Sequence, residues 1–323
     1  MTENHGPQNE PVTRGTLLRA TTDTLAAAGV AEPRRKVIWL LCHVLQCSTA
    51  HLVAYPNSPV LREHVQALLP LVARLARREP LQYVLGYTDF CGLRLCVSPD
   101  VLIPRPETEQ VVDKALGLIS GVYCPQVLDI GTGSGCIALA VKRAVAEATV
   151  LGIDVSEAAL VVAQANAEKH GLEVEFLCTD VLADDFVRRV LGPFDLIVSN
   201  PPYLSDDEAE SLDTEIRNHE PELALFAGAD PLLHFRVIAS YAIGRLTKVG
   251  YLVFEAHAYR ADEVRGILEE FGFRGVTVAP DLAGHPRIVH AGPSRLSRQA
   301  GAILRADILG LVAGRGTFPT EGQ

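Results

Sequence analysis

Hydrophobic spacing divides the chain into two parts. From Val12 to about Arg78, apolar residues recur at the three- and four-residue intervals of amphipathic helices. One such series is Val60, Leu61, Val65, Leu68, Leu69, Val72 and Leu75. No strand-like alternation interrupts this part, so the pattern predicts a small all-helical domain. Residues 1–11, which precede it, are predicted to form a solvated leader.

Beyond Pro80 the spacing changes. Residues 83–97 alternate apolar and polar positions around Gly92, which predicts a β-hairpin. An extended, proline-rich segment with the sequence IPRPETE follows, and a helix is predicted near Glu107–Ile119. The hairpin is therefore expected to join two domains.

From Gln126 onward, short apolar runs alternate with helical stretches. The predicted strands are Val127–Ile130, Val150–Ile153, Val174–Cys178, Phe194–Val198, Tyr251–Phe254, Val276–Val278 and Arg287–His290. The predicted helices between them are Ser134–Val145, Ser156–His170 and a helix near Ala261–Phe271. This alternation predicts a mostly parallel sheet covered on both faces. The last two strands, joined without a full helix, predict an antiparallel hairpin at the sheet edge.

Composition narrows the class of protein. Of the 323 residues, 48% are hydrophobic and 21% charged, which is typical of a globular chain. The formal net charge of −10 argues against a protein that coats nucleic acid by neutralising phosphates. No run of eighteen apolar residues occurs, so no membrane span is expected. The start of the chain lacks a signal-peptide layout and the seven cysteines form no CxxC pair, which together predict a cytoplasmic protein with reduced thiols.

The first candidate site is a glycine turn. The strand at 127–130 runs into Gly131-Thr132-Gly133-Ser134-Gly135 and then into a predicted helix. Glycines permit a sharp turn and a close approach of the backbone to a ligand. The GxGxG spacing differs from that of dinucleotide-binding and phosphate-binding loops. By itself, a tight connection between strand and helix explains the turn equally well.

Acidic residues follow the next two predicted strands. Asp154 ends the second strand, where a carboxylate can accept hydrogen bonds from a ribose diol. Asp180 follows the third strand, where it can reach an exocyclic amine of adenine. Helix capping is the alternative for Asp154, because Ser156 and Glu157 come directly after it. Three features at three successive strand ends favour a nucleoside site.

The segment Asn200-Pro201-Pro202-Tyr203 follows the predicted strand Phe194–Val198. Two prolines fix the backbone and remove two donors, which leaves carbonyl acceptors. The Asn200 amide adds another acceptor, and Tyr203 offers a flat apolar face. Such a pocket suits a planar NH₂ group, whose delocalised lone pair must be turned toward a methyl donor. A purely structural proline turn is the alternative.

These features together resemble the HemK/PrmC family of methyltransferases, whose members use S-adenosylmethionine to methylate the glutamine of the Gly-Gly-Gln loop in class-one peptide-chain release factors. The resemblance covers about residues 80–290. It is carried by QYVLG (82–86), DFCGLRLCV (89–97), VLIPRPETE (101–109), DIGTGSGCIALA (129–140), SNPPY (199–203), PELALFAGADPLLHFRVI (221–238) and DLAGHPRIV (281–289). The chain departs from the family's pattern at Glu255-Ala256-His257 and in its longer tail.

The resemblance implies a role for each matched position. Gly131, Thr132, Gly133, Ser134 and Gly135 would wrap the methionine part of S-adenosylmethionine, Asp154 its ribose, and Asp180 with Val181 its adenine. Asn200 and the Pro201 carbonyl would hold the substrate amide beside Pro202 and Tyr203, Asn200 lying close to the cofactor as well. Arg105 and Glu107 would order the segment covering the site. The product would be S-adenosylhomocysteine, and no metal is implied.

The predicted fold class is thus α/β: a Rossmann-like, seven-stranded methyltransferase domain preceded by a small all-helical domain and a β-hairpin linker. The predicted boundaries are 1–79 for a helical substrate-recognition domain, 80–105 for the linker, 106–292 for the methyltransferase domain and 293–323 for a C-terminal helical tail.

Two other functions remain open. An adenine N6-methyltransferase acting on DNA or RNA would share the NPPY chemistry, and a non-catalytic module that docks on a ribosomal partner would keep the fold. An acidic run at 206–222, with only Arg217 opposing it, is expected to be a solvated helix face. Such a rim would repel a phosphate backbone and could steer a basic protein loop, which favours release factors as partners over nucleic acid or membrane.

Overall fold

The structure, a computed structural model, describes residues 12–312. The predicted leader at 1–11 and the end of the predicted tail at 313–323 lie outside this range. Internal contacts divide the chain into two units. One comprises the chain up to Gly86 together with Asp213–His219, and the other comprises Tyr87–Leu212 and the chain from Glu220 onward.

The first unit is helical, as predicted. Its N-terminal helices are α1 (Arg14–Ala27), α2 (Pro33–Leu45), α3 (Thr49–Ala54), α4 (Arg62–Ala76) and α5 (Leu81–Leu85). Their apolar stripes meet in a core that includes Leu25, Leu40, Leu41 and Leu68. The hydroxyl groups of Thr13 and Ser48 cap α1 and α3 by accepting hydrogen bonds from backbone N–H groups of the first turn.

The hairpin of the second unit consists of β1 (Tyr87–Phe90) and β2 (Leu93–Cys96). Cys91 and Gly92 both have positive φ, as a tight two-residue hairpin turn requires. The prediction of a hairpin around Gly92 is confirmed, but its start is corrected from Tyr83 to Tyr87. The chain before Gly86 instead closes a helical turn, with the Gly86 N–H bonded to the Gln82 carbonyl.

A seven-stranded sheet forms the centre of the second unit. Its strands are β3 (Gln126–Ile130), β4 (Thr149–Asp154), β5 (Glu175–Cys178), β6 (Phe194–Ser199), β7 (Leu246–Glu255), β8 (Arg274–Pro280) and β9 (Pro286–Gly292). Their order is β5-β4-β3-β6-β7-β9-β8. The first five are parallel, and β9 pairs antiparallel with both β7 and β8. The predicted fold class and the antiparallel edge hairpin are confirmed.

Helices cover both faces of this sheet. In chain order they are α6 (Pro106–Leu118), α7 (Cys136–Ala144), α8 (Glu157–His170), α9 (Phe186–Arg189), α11 (Glu222–Leu225), α12 (Leu233–Ala242), α13 (Ala261–Glu270) and α14 (Arg298–Val312). A 3-10 helix spans Asp206–Ser211, and α10 (Thr214–His219) belongs to the helical unit. One apolar cluster surrounds Phe235 and Phe254, and the other surrounds Val111 and Leu139.

The strand order places one topological switch point between β3 and β6, where the chain changes direction across the sheet. Ligands of open α/β sheets bind beyond the carboxyl ends of the strands at such a point. The glycine turn follows β3 and the NPPY segment follows β6, so the fold brings the two motifs to the same edge. Within residues 12–312, no helix is both long enough and apolar enough to cross a membrane.

Candidate active site

The glycine turn has the backbone shape that only glycine adopts easily. Gly131, Gly133 and Gly135 have φ values of +75°, +56° and +80°. A Cβ atom at Gly131 or Gly133 would meet nothing within 4 Å, whereas one at Gly135 would lie 3.3 Å from Ala163 Cβ. The first two glycines therefore border open space, and the third allows α8 to pack closely.

Asp129, in strand β3 just before the glycine turn, stabilises the turn through hydrogen bonds. Its Oδ2 atom accepts hydrogen bonds from the Thr132 hydroxyl (2.7 Å) and the Ala138 N–H (3.1 Å). The side chain is fully buried, and burial raises the pKa of this carboxyl to about 7. Its Oδ1 atom has no hydrogen-bond partner in the described part of the chain. The sequence analysis did not single out Asp129, since a strand-interior aspartate gives no separate signal.

Asp154 joins the turn to the start of α8. Its Oδ2 atom accepts a hydrogen bond from the Gly133 N–H at 2.8 Å, and its Oδ1 atom accepts one from the Ser156 N–H at 3.0 Å. The residue that caps α8 is Ser156, whose hydroxyl accepts from the Ala159 N–H. Burial raises the pKa of Asp154. The Asp154 carboxylate thus holds the glycine turn through Gly133 and also contacts Ser156, the N-cap residue of α8.

The loop after β5 forms the next part of the site. The Thr179 N–H donates to the Asp154 carbonyl (2.9 Å), and Asp180 Oδ1 accepts from the Leu182 N–H (2.7 Å). His234 on α12 faces this loop, and burial lowers its pKa although the Asp180 charge opposes that effect. No motif in the sequence marks His234 as a site residue; the structure places it in the site.

The NPPY segment is tied to the glycine turn through β6. Ser199 is fully buried, and its hydroxyl donates to the Ile130 carbonyl at 2.7 Å, so the ends of β3 and β6 are linked directly. The Tyr203 ring packs beside the His257 ring, with centroids 5.8 Å apart. Burial and the nearby Glu255 charge raise the pKa of the Tyr203 phenol.

Buried carboxylates support the segments around NPPY. Arg105 of IPRPETE donates to Glu220 Oε1 at 2.6 Å, and Glu220 is 5% exposed. The Thr108 hydroxyl donates to Glu255 Oε2 at 2.7 Å, with both residues buried. Burial raises the pKa of both acids, and the charge of Glu107 adds to the rise at Glu255. Arg105 therefore ties IPRPETE to Glu220, and Glu107 lies close enough to Glu255 for its charge to act on that carboxyl.

The prediction of a solvated acidic face at 206–222 is wrong for several of its members. Glu220 is buried with Arg105, as described above. Glu208 forms an ion pair with Arg260 at 2.8 Å. In the helical unit, Glu215 forms one with Lys36 at 2.5 Å, and both side chains are mostly buried. Their partners are distant in sequence, so counting charges within the run could not find them.

A single cleft collects most of the predicted site residues. It encloses about 910 Å³ of space, part of which is open solvent at its mouth. Eight of the predicted site residues line it: Gly131, Gly133, Asp154, Asp180, Val181, Asn200, Pro201 and Pro202. The remaining predicted residues do not line it: Thr132, Ser134, Gly135, Tyr203, Arg105 and Glu107.

Residues that the sequence analysis did not place in the site complete the cleft. They come from the segment before IPRPETE, from α11 and from α12, and include Asp100, Leu102, Leu223, Ala224, His234 and Ile238. Apolar walls, open backbone at two glycines and the Asp154 carboxylate fit a nucleoside that carries an amino-acid tail. Among residues 12–312, no group of three or more His, Cys, Asp or Glu side chains could hold a metal ion.

Comparison with known proteins agrees with this geometry. The PrmC N-terminal domain profile matches residues 16–86, and the methyltransferase small domain profile matches residues 118–219. Among solved structures, the hMettl16 catalytic domain in complex with MAT2A 3′UTR hairpin 6 covers 70% of this chain and 82% of its own, with a TM-score of 0.51 and 19% identity. That likeness shows the fold alone.

Closer relatives identify the family. The release factor glutamine methyltransferase of Geobacter sulfurreducens is 40% identical over 275 residues, which cover 84% of this chain and 94% of that protein. The protein of the same name from Bordetella pertussis is also 40% identical over 275 residues, covering 84% of this chain and 98% of its own. The resemblance found in the sequence is confirmed, and the chain belongs to the release factor glutamine methyltransferase family.

Proposed function

We propose that this protein transfers a methyl group from S-adenosylmethionine to the side-chain amide nitrogen (N5) of the glutamine in the Gly-Gly-Gln loop of class-one release factors, in the cytoplasm. The observation that carries the proposal is the shared cleft. Open backbone at Gly131 and Gly133, the Asp154 carboxylate and the Asn200-Pro201-Pro202 segment all line it. A donor site and an amide site therefore adjoin.

The cofactor end of the cleft is defined by Gly131, Gly133, Asp154, Asp180 and Val181. In this proposal the glycine turn receives the methionine part, since a side chain at Gly131 or Gly133 would project into the space that part needs. Asp154 accepts hydrogen bonds from the ribose hydroxyls, and Asp180 with Val181 borders the adenine. When bound, S-adenosylmethionine supplies an activated methyl group on a positively charged sulfur.

The amide end of the cleft is defined by Asn200, Pro201 and Pro202. Here the Asn200 side-chain carbonyl and the Pro201 backbone carbonyl accept the two amide hydrogens of the substrate glutamine. Holding both hydrogens turns the nitrogen lone pair toward the methyl carbon, which is the orientation that the reaction requires. With the donor bound, the new N–C bond would form as the donor's C–S bond breaks, S-adenosylhomocysteine would be the leaving group, and the surplus proton of the amide would pass to water.

Acidic charge near the amide end favours a protein substrate. The net charge is −10, and Asp206 and Asp207 are both exposed just beyond NPPY. Such a rim attracts a basic loop and repels a phosphate backbone. In the same proposal, a substrate-recognition domain at residues 1–79 recognises the body of the release factor. A linker at 80–105, which contains the hairpin, joins it to the methyltransferase domain at 106–292, and residues 293–323 form the tail.

A transfer assay tests the substrate class. The protein and tritium-labelled S-adenosylmethionine are incubated with a purified class-one release factor, with its Gly-Gly-Ala variant, and with duplex DNA and structured RNA that contain adenine. Label on the release factor alone, lost in the Gly-Gly-Ala variant, is the expected result. Label on the nucleic acids instead would replace this function with adenine N6 methylation. Cofactor binding without transfer to any of them would indicate a non-catalytic module.

A further inference from the structure

The C-terminal helix is built into the methyltransferase unit. Helix α14 packs along α12, and Leu304, Ile308 and Leu309 are half-buried against the larger apolar cluster. The approach is close at Gly301, where a Cβ atom would lie 2.7 Å from the Ser240 carbonyl oxygen. Only a residue without a side chain fits there, so Gly301 allows α14 to pack this closely against α12.

One charged side chain of this helix points into the protein. Arg305 is 4% exposed, and its Nη2 atom donates to the carbonyls of Val181 and Ala183, the latter at 3.1 Å. Its guanidinium lies 5.3 Å from the centre of the fully buried Phe186 ring. Burial lowers the pKa of Arg305 to about 10, while the charges of Asp180 and Asp184 oppose that effect. The side chain therefore stays charged at neutral pH.

The carbonyls that Arg305 binds belong to the loop that borders the cleft. Thr179, Asp180 and Val181 of this loop line the cleft. Within the loop, Asp180 Oδ1 accepts from Leu182 and the Asp180 carbonyl accepts from Ala183. Among the backbone hydrogen bonds of residues 12–312, none ends on the Val181 carbonyl, so Arg305 supplies its donor. A charged group 124 positions away thus holds the backbone beside Asp180.

We propose that Arg305 is a positioning residue for the adenine end of the cofactor site, and that α14 is a working part of that site. The inference rests on the proposed function, because it takes the cleft to bind S-adenosylmethionine. Loss of the guanidinium leaves the Val181 carbonyl buried without a donor, and the loop relaxes away from the position that Asp180 and Val181 need. The consequence falls on cofactor affinity and leaves the amide end unchanged.

A merely structural role predicts something different. A helix that only stabilises the fold would, when weakened, reduce the fraction of active protein and lower kcat with an unchanged KM for S-adenosylmethionine. A positioning role raises that KM and leaves both the KM for the release factor and the kcat at saturating cofactor near the wild-type values. The two roles are therefore distinguished by whether the KM for S-adenosylmethionine rises while the KM for the release factor stays the same.

The experiment compares Arg305→Met, which keeps the apolar stem and removes the donors, with Arg305→Lys and with Arg295→Ala. Arg295 is an exposed arginine just before α14 and serves as the matched control. Binding of S-adenosylhomocysteine is measured by calorimetry on the full chain, and steady-state kinetics follow. Arg305→Met should weaken binding roughly tenfold, Arg305→Lys should recover part of the loss, and Arg295→Ala should bind like the wild type.

A wild-type affinity in folded Arg305→Met would overturn the inference, as would an equal loss in Arg295→Ala. If Arg305→Met does not fold, Arg305→Gln replaces it with the same expectation, because its shorter amide cannot reach both carbonyls. A wild-type protein that binds S-adenosylhomocysteine but methylates no release factor would reject the proposed substrate and leave the role of Arg305 standing.

Discussion

The cofactor end and the amide end of the cleft are held by contacts of different range. At the cofactor end, Asp129 bonds to residues three and nine positions away, and Asp154 bonds to Gly133, 21 positions away. Around the amide end, Arg105 reaches Glu220 across 115 positions and Thr108 reaches Glu255 across 147. The glycine turn of the cofactor end is thus held by nearby residues, with Arg305 as the one distant support described for the adenine side, whereas the supports of the amide end all come from distant parts of the sequence.

This difference separates the effects of substitutions. A change at a cleft-lining residue of the cofactor end should act on ligand affinity with little effect on folding. A change among the distant supports of the amide end should lower stability and transfer together, because the same contacts close the fold and order the NPPY segment.

The largest effect is expected for Asn200→Ala. The variant loses an acceptor for the substrate amide but none of the contacts that shape the glycine turn, so kcat for release factor methylation should fall about 10²- to 10³-fold. The affinity for S-adenosylhomocysteine should stay within about twofold of the wild type. Calorimetry and transfer kinetics on one preparation provide the check. A loss of affinity as large as the loss of activity would show that the two ends are not separate.

The next effect is expected for Asp154→Ala. Two backbone N–H groups lose a charged acceptor, and the proposed ribose contact is lost as well, so affinity for S-adenosylhomocysteine should fall roughly 100-fold. Glu157→Ala removes an exposed carboxylate at the start of the same helix and should bind normally. Comparable affinities in the two variants, measured by calorimetry, would contradict the role of Asp154.

Sequence patterns could single out the glycine turn, Asp154 and the NPPY segment as site candidates. Each is visible in a short stretch of sequence beside the end of a predicted strand. Glu220 and Glu255 could not be predicted as supports, because a carboxylate in an acidic run or after a strand has the same local signature whether it is solvated or buried. Its burial depends on which distant partner the fold delivers. The role of Arg305 could not be predicted for the same reason, because the pattern of residues 293–323 indicated only a helix.

A smaller effect is expected for Thr108→Val, which removes the donor to buried Glu255 at almost constant volume. The free energy of unfolding should fall by about 2 kcal/mol, because a buried carboxyl loses a hydrogen bond. Transfer should weaken several-fold with unchanged cofactor affinity. Thr149→Val, at an exposed position of β4, is the control for urea denaturation. If the two variants unfold alike, the contact between Thr108 and Glu255 does not support the amide end.

The last prediction concerns the pH dependence of stability. Because the pKa of Asp129 is raised to about 7 from an ordinary value of 3.8, the folded protein keeps a proton that the unfolded chain releases between these values. The unfolded state then binds fewer protons, so the free energy of unfolding falls as pH rises from about 4 to 7, by at most about 1.4 kcal/mol per pH unit. Urea denaturation of the wild type and Asp129→Asn across this range should show a steeper decline in the wild type.

The control for this comparison is Asp262→Asn, which removes an exposed carboxyl group and should keep the wild-type slope. The slope is the informative quantity, since the absolute stability of Asp129→Asn also includes the cost of placing an amide in a buried site. Parallel curves for the wild type and Asp129→Asn would mean that Asp129 does not retain a proton in the folded protein.

The most direct test of the account is to locate the methyl group on its acceptor. A purified class-one release factor is methylated by this protein with S-adenosylmethionine and digested, and the Gly-Gly-Gln peptide is fragmented in the mass spectrometer. The account predicts one added methyl mass on the glutamine residue, with fragments that assign it to the side-chain amide, and at most about 1% of that initial rate of methylation with Asn200→Ala. An unmodified glutamine, or a methyl group on another residue of the same release factor, would contradict it.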